Sequence, residues 1–391
     1  MATGVVRLDS DLKRKKWMRE GLVQKASTSF WTPLTGNSKD SIVYQENNEN
    51  SGSGHTVVFD FDGNLSGKAR KGKETAFGTG EQKKKFSDKI TVERYRLVAD
   101  NGDTFDGVDI GDLTINQHSD SRSKLGDLFV RFKDQALFDT AQGNIVTQDS
   151  GIQPASHVID GGTTFNFNTL VDIEKTLKTS NGYTTGAIRR PLAPYSTMKG
   201  DNGKYGTEPV WMFVIDSAMA NMLRKDVAGY QTIMKDSDIR GQNNRNIAGV
   251  FGRIGRLLIV EADHFFGETG GTSGGWGFND SEIEMCGLRQ YDGANAASAV
   301  WTGQEGFDYA STNLHSRGLI MGQGAIQLAF GKQPDYKYQA SEDFGIKSES
   351  ACEFWMEARK TNLLAENDKY KQAKISGLDY GVVAFDVQVQ S

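Results

Sequence analysis

The sequence predicts an α+β chain with segments that project from its core, and three observations carry that expectation. Leu125, Leu128, Phe129, Phe132 and Ala136 fall at i, i+3, i+4, i+7 and i+11, the single apolar stripe of one long helix. Short runs such as the alternating Val57-Val-Phe-Asp-Phe61 and the wholly apolar Val210-Trp-Met-Phe-Val-Ile215 read as half-buried and fully buried strands. Between them lie stretches too polar to form a core, beginning with the N-terminal residues 1–50.

The elements follow in order. Ser10 can cap a helix running to Lys25 whose apolar face, Leu12, Met18 and Leu22, is too small to stand without a partner surface. The chain turns at Phe30-Trp31-Thr32-Pro33 and is rich in Asn and Ser from Gly36 to Gly54, so residues 1–50 read as an extended arm. From His55 to Ala99, a strand through Val57, Phe59 and Phe61 and a second over Lys89–Val98 flank a glycine-rich, cationic stretch containing Lys68, Arg70, Lys71, Lys73, Lys83, Lys84 and Lys85. Two strands with a long polar tip make a projecting hairpin, because they carry too little apolar surface for a domain of their own. The long helix should stop at Gly143, and a second runs from about Asn168 to Thr179 with Leu170, Ile173 and Leu177 on one face. Pro209 introduces the Val210–Ile215 strand, Asp216-Ser217 caps a helix bearing Ala218, Met219, Met222 and Leu223, and Ile254–Val260 reads as one further buried strand. That order suggests a mixed domain over about 165–265. A glycine-rich polar insertion opens at Gly267 and reaches about His315; Leu319–Phe330, Phe344–Glu349 leading into Glu353–Ala358, and Val382–Val389 then close the chain as strands.

Composition narrows the function classes. A chain of 391 residues can bury a substantial core, and 45 glycines against 6 prolines imply many turns without rigid ones. The net charge of −5 argues against a dedicated nucleic-acid binder. The longest apolar run falls far short of the about 20 residues a membrane helix needs, and the charged stretch from Lys13 to Lys25 lacks the apolar core of a signal peptide. Cys286 and Cys352 cannot staple a chain of this length, so a reducing compartment is expected.

One enzyme-like motif stands out. Thr56-Val-Val-Phe-Asp60-Phe-Asp62-Gly63 looks like the nucleophile motif of haloacid-dehalogenase-type phosphatases, in which a strand delivers a nucleophilic aspartate and a second aspartate acts as acid and base. Asn64 stands where that pattern wants Thr or Val, and glycine-rich cationic sequence follows where a helix is required. Gly111-Asp112 has no acidic partner to hold magnesium. A phosphatase using Asp60 and Asp62 is therefore kept as the alternative from another class. Gly67-Lys-Ala-Arg-Lys-Gly72-Lys73-Glu74 imitates a phosphate loop but places Glu74 where a magnesium-binding hydroxyl belongs. The histidines show no metal-ligand spacing, and no catalytic, cofactor-binding or metal residue is expected.

The succession Gly54-His-Thr-Val-Val-Phe-Asp-Phe61, Leu65-Ser-Gly67, Gly72-Lys-Glu-Thr-Ala-Phe-Gly-Thr-Gly-Glu81 and Phe86-Ser-Asp-Lys-Ile-Thr-Val-Glu-Arg-Tyr-Arg-Leu-Val98 resembles the major capsid proteins of a tailed-phage family. That family includes short-tailed phages with large virion RNA polymerases. Gly322-Gln-Gly-Ala-Ile-Gln-Leu328, Phe344-Gly-Ile-Lys347 and Val382-Val-Ala-Phe-Asp386 are similar to its returning strands. The resemblance implies the Hong Kong 97-like fold, divided here into an N-terminal arm (1–50), an extended loop hairpin (51–105), a peripheral domain with a long spine helix (106–165), an axial domain with the glycine-rich insertion (166–314), and returning strands of the peripheral domain (315–391).

The implied function is that of a major capsid protein self-assembling as hexamers and pentamers into the icosahedral head around dsDNA, in virions built in the cytoplasm of a bacterial host. Contacts between subunits are expected from Lys68, Arg70, Lys71, Lys73, Lys83 and Lys84 at the hairpin tip and from Trp17, Phe30 and Trp31 in the arm. Portal and scaffolding proteins, a decoration or cement protein, and weak non-specific contact with packaged DNA are the further expected partners; no cofactor and no membrane is expected. A nonviral compartment protein of the same fold, enclosing protein cargo, stays open beside this reading.

Overall fold

The computed structural model describes residues 29–38, 41–47, 56–62, 68–80, 85–103, 117–143, 154–179, 196–198, 208–226, 228–229, 250–262, 287–294, 296, 299–302, 307–308, 311–342, 347–362 and 379–389. In chain order the strands are β1 (Thr35–Gly36), β2 (Val43–Asn47), β3 (Thr56–Asp62), β4 (Lys85–Thr91), β5 (Glu93–Asp103), β6 (Val158–Asp160), β7 (Ser196–Met198), β8 (Glu208–Ile215), β9 (Val250–Ile254), β10 (Leu257–Glu261), β11 (Gln290–Asp292), β12 (Val300–Trp301), β13 (Leu314–Met321), β14 (Ile326–Glu342), β15 (Lys347–Lys360) and β16 (Val382–Gln388). The helices are α1 (Gln117–Gln142), α2 (Phe167–Thr179) and α3 (Ser217–Lys225).

The strands form a five-stranded sheet ordered β1-β2-β14-β15-β5, a nine-stranded sheet, and the separate two-stranded hairpin β3-β4. The larger sheet runs β12-β11-β13-β8-β10-β9, with β16 beside β13, β6 beside β16 and β7 beside β8. Helices cover both its faces. On one, α1 brings Leu137, Phe138 and Ala141 into a core with Met212, Val214, Val260, Leu319 and Met321. On the other, Leu170, Ile173 and Leu177 of α2 and Met219 and Leu223 of α3 pack with Phe213, Ile215, Ile259, Val383 and Phe385. Burial on both faces explains why Val210–Ile215 shows no polar alternation.

With 26 residues, α1 is long enough to serve both sheets, since a helix rises about 1.5 Å per residue. Its N-terminal half lies on the five-stranded sheet, where the Phe129 ring meets Phe354 edge-on at 4.7 Å and Phe132 lies 5.2 Å from Tyr95. Gly143, at φ +68°, ends the helix as expected, its N–H donating to Asp139 O at 3.0 Å. Asp216 caps α3 as its sequence indicates, accepting from Met219 N–H at 2.8 Å.

The apolar stripe does not foretell that the last turns of α1 are buried on their polar side too. Asp139 there holds Arg289 through a fork, Nε to Oδ1 at 2.7 Å and Nη2 to Oδ2 at 3.2 Å, and Arg289 Nη1 donates to Thr302 O at 2.6 Å. Gln142 Nε2 donates to the carbonyls of Arg289 and Arg317 at 2.9 and 3.0 Å, while its Oε1 accepts from Arg289 N–H at 2.8 Å. Arg317 returns a bond to Gln142 O at 3.0 Å and forks onto Asp386 at 2.6 and 2.7 Å, with the Tyr291 and Trp301 rings 5.7 and 5.5 Å away. Burial, followed by the Asp386 carboxylate, pushes the Tyr291 phenol well above its ordinary value, so it stays neutral and donates to Asp386 Oδ2 at 3.1 Å.

Several sequence expectations are corrected. The Leu319–Phe330 run is divided: the chain leaves the nine-stranded sheet at Met321, crosses through Gly322–Ala325, and enters the five-stranded sheet as β14. Ile254–Val260 is not one strand, because Gly255 at φ +52° turns β9 back against β10. Lys89–Val98 is shared between β4 and β5, which join different sheets, and the described part of the two runs expected over 344–358 is the single strand β15. Strands 314–321 and 382–388, expected with the peripheral part, lie within the nine-stranded sheet; β13 pairs with β8 and β16. The described end of the extended arm, residues 29–38 and 41–47, is built into the chain's own core: β2 pairs in parallel with β14, and Trp31, Leu34, Ile42 and Val43 enter the main cluster. The helix expected over Ser10–Lys25 and the stretch from Gly267 to Cys286 lie outside the described residues.

Gly381 closes the crossing between the sheets. Gly322 N–H donates to Gly381 O at 2.9 Å, and a methyl group on Gly381 would meet Ala325 Cα at 2.6 Å and Ala325 N at 2.9 Å. Both are backbone atoms that cannot rotate aside. Gly381→Ala is therefore expected to lower folding stability by about 1–3 kcal/mol, measured as a reduced thermal unfolding midpoint with an unchanged far-ultraviolet spectrum.

Candidate assembly surface

The hairpin β3-β4 owes its position to period-2 alternation. Val57 and Phe59 of β3 and Ile90 of β4 point inward, where they meet Tyr44, Val92 and Ala329 under the partly buried rings of Trp355 and Tyr380. Tyr44 and Phe59 stack edge-on at 5.2 Å. Along β2, β14 and β15 these partners alternate with Val43, Leu328 and Phe354, which face α1. The hairpin root therefore covers the sheet face opposite the helix. Thr56, Val58, Asp60 and Lys89 take the exposed positions.

Asp88 pins β4 to the end of β15. It is 1% exposed, its Oδ1 lies 3.7 Å from Arg359 Nη1, and its Oδ2 accepts from Asn362 N–H at 3.3 Å. Burial pushes its carboxyl above the usual range, with Arg359 opposing. Beyond Val92 the chain runs into β5, where Arg94 reaches Glu353 of β15 at 2.7 Å and Lys337 of β14 joins the same carboxylate. Hydrogen bonds from Arg94 and Lys337 hold the Glu353 carboxyl down to about 2.

The described tip, residues 68–80, is exposed throughout and contains no strand or helix. Two tight turns shape it: Glu74 N–H donates to Lys71 O at 3.4 Å and Thr79 N–H to Ala76 O at 3.3 Å. Gly72 and Gly78, at φ +62° and +79°, supply the left-handed positions. Lys68, Arg70, Lys71 and Lys73 are all exposed and make no ion pair among the described residues. Lys83, Lys84 and Trp17 lie outside the described residues.

The other two arm residues have a different place from the one expected. Trp31 is fully buried, its ring 4.9 Å from Phe138 of α1, and Phe30 packs half-buried against both rings at 5.2 Å. Asp134 of α1 fixes the same segment by accepting from Ser29 Oγ–H at 2.7 Å and Phe30 N–H at 2.8 Å. Both rings expected between subunits are thus packed on the chain's own helix. Apolar area spent on the chain's own helix leaves Trp31 no surface for a neighbour and Phe30 little.

The phosphatase alternative gains no support. Asp60 sits on the exposed side of a two-stranded hairpin, the described residues after it form turns where that motif requires a helix, and no cluster of metal-ligating side chains occurs among the described residues. Two residues of the surface were missed by sequence reasoning. Phe77 is the only large apolar side chain between Leu65 and Phe86, a signal visible in advance. Asp88 gave none, because only the folded chain brings Arg359 and Asn362 to it.

Residues 6–174 match the family model described as phage capsid protein. Over 100% of this chain and 99% of the other, the structure superposes on the capsid of Ralstonia phage GP4 with a TM-score of 0.65 at 17% identity. The chain has the fold of a tailed-phage capsid protein. The head structure of Helicobacter pylori bacteriophage KHP40 matches with a TM-score of 0.66 at 13% identity over 94% of this chain and 93% of that one. The capsid of cyanophage Pam1 matches at 0.59 and 13%, over 98% of each chain. No curated protein matches the chain in sequence. The Hong Kong 97-like capsid fold expected from the resemblance is thus the fold found.

Because the folded chain lowers the Glu353 carboxyl from 4.5 to about 2, its ion pairs stabilise the capsid fold fully above the ordinary carboxylate range. That contribution is lost as pH falls through the interval towards the lower value. Glu353→Gln is expected to flatten the dependence of stability on pH within that interval, read from urea midpoints in a series of acidic buffers.

Proposed function

We propose that the chain is the major capsid protein of a tailed phage, assembling with its own copies as hexamers and pentamers into the icosahedral head that encloses the dsDNA genome. The observation that carries this reading is the match in fold to capsid subunits along the whole chain. The protein acts by assembly, not catalysis, and its place is the virion.

In this reading residues 1–50 begin as an arm and are tied down from Ser29 onward, and 51–105 are the extended loop. The peripheral part comprises α1 and the five-stranded sheet. The axial part is the nine-stranded sheet, in which the described strands β7 to β12 of 166–314 stand together with β6, β13 and β16. The hairpin root is fixed by apolar packing and Asp88, so its tip is held out at a set place where another subunit can meet it. Lys68, Arg70, Lys71 and Lys73, with Lys83 and Lys84, supply the charge for contact with carboxylates of a neighbour, setting register more than affinity. Portal and scaffolding proteins and a decoration or cement protein are the proposed partners in building the head. A net charge of −5 suits a container whose DNA must slide, since a strongly basic lining would hold phosphates.

Electron microscopy of the purified full-length protein, alone and co-expressed with its phage's scaffolding protein, tests the reading. Closed shells or rings of five and six are expected; a protein that is monomeric under both conditions and shows magnesium-dependent phosphatase activity abolished by Asp60→Asn would replace it. Combining Lys71→Glu with Lys73→Glu should lower shell yield without altering the circular dichroism spectrum. The deficit should narrow towards 1 M salt, where the screening length falls to about 3 Å. Undiminished yield at low salt would remove the tip charges from the assembly mechanism.

A further inference from the structure

Among the described residues, four large apolar side chains are exposed, and one stands apart. Val58, Val98 and Val171 keep about half their surface covered, at 46%, 56% and 43% exposure, whereas Phe77 is 95% exposed. It is not on a frayed end. Phe77 occupies the second position of the turn Ala76-Phe77-Gly78-Thr79, which is closed by Thr79 N–H and Thr79 Oγ1–H, both donating to Ala76 O, at 3.3 and 2.8 Å. Gly78 at φ +79° gives the third position its left-handed conformation, the arrangement of a type II turn. Such a turn offers the side chain at its second position outward on a constrained backbone, which reduces the entropy lost when that side chain is bound.

The surroundings of Phe77 indicate what it meets. Residues 68–80 carry Lys68, Arg70, Lys71 and Lys73 against the single carboxylate Glu74, in a chain whose net charge is −5, so the remainder of the chain is more acidic than the whole. In aggregate, the rest of a second copy is therefore opposite in charge to this tip. An exposed aromatic ring in the same short segment as four cations suits an apolar recess with carboxylates near it, and aromatic side chains contribute strongly to the energetics of interfaces.

We propose that Phe77 is the apolar anchor of the hairpin tip, inserted into a recess on an adjacent copy of this chain, while the four cations of the same segment align the approach. The inference rests on the capsid reading and adds to it a division of labour within the tip: the ring supplies affinity that salt does not screen, and the cations supply register that salt does.

Photocrosslinking tests the contact directly. With p-benzoyl-phenylalanine in place of Phe77 in the full-length protein, irradiation of assembled particles should give a product of twice the chain mass, with the attachment in a peptide of another copy that contains apolar and acidic residues. Phe77→Ala should raise the protein concentration needed for assembly by about tenfold at both low and high salt. Phe77→Leu should restore most of the loss, and the thermal midpoint of the unassembled subunit should not change. Shells forming at unchanged concentration with Phe77→Ala, or crosslinks confined to one chain, would overturn the anchor and leave the capsid reading standing. If the unsubstituted protein fails to assemble with its scaffolding protein, the capsid reading fails and the anchor with it.

Discussion

A helix end buried on every side must find a partner for each polar group it carries, and the last turns of α1 are under that constraint. Asp134, Gln135, Asp139 and Gln142 are all buried there. Their partners come from Ser29 and Phe30, from Gly287 and Arg289, and from Arg317, which are distant from one another in sequence. One helix terminus thereby joins the entry segment, the loop before β11 and the strand β13. Removing one side of a buried pair such as Arg289 and Asp139 characteristically costs about 3–5 kcal/mol, because the charge left behind has neither partner nor water. The pair is better understood as fixing geometry than as adding net stability.

The hairpin stands under the opposite condition. Its root is an extension of the core, gripped by Phe59, Ile90 and Asp88, and its tip touches nothing described in its own chain. A segment with that division can be positioned accurately without being satisfied. The sheet beneath it adds rigidity, since Arg94, Glu353 and Lys337 tie β5, β15 and β14 together across the same face. In the proposed reading, assembly would then fall to an element whose tip contributes little to folding.

How much of this could be read in advance follows from which forces are local. The stripe through Leu125 to Ala136, the cap at Asp216 and the stop at Gly143 depend on neighbours within a few residues, and they hold in the structure. The cationic tip was equally legible, because lysines separated by glycine cannot be buried cheaply. Trp31 was less legible for the reverse reason: a tryptophan in a polar stretch gives no sign of its intramolecular partner until α1 brings Phe138 to it. The division of Leu319–Phe330 was invisible because both halves are apolar, and only pairing distinguishes a strand that continues from one that changes sheets. Gly324, at φ +60°, was the clue within the run, and its meaning appears only once Gly381 is found against the same bend.

That bend bears on how a shell could be closed from one sequence. Copies at positions of different curvature cannot be identical in shape, so some part of each must yield. Where the chain passes between its sheets, Gly322 is bonded to Gly381, and the Gly381 backbone lies against that of Ala325 with no room for even a methyl group. A joint packed that closely has no compliance to offer. In the proposed shell, differences in curvature would then have to be taken up outside this joint and not within it.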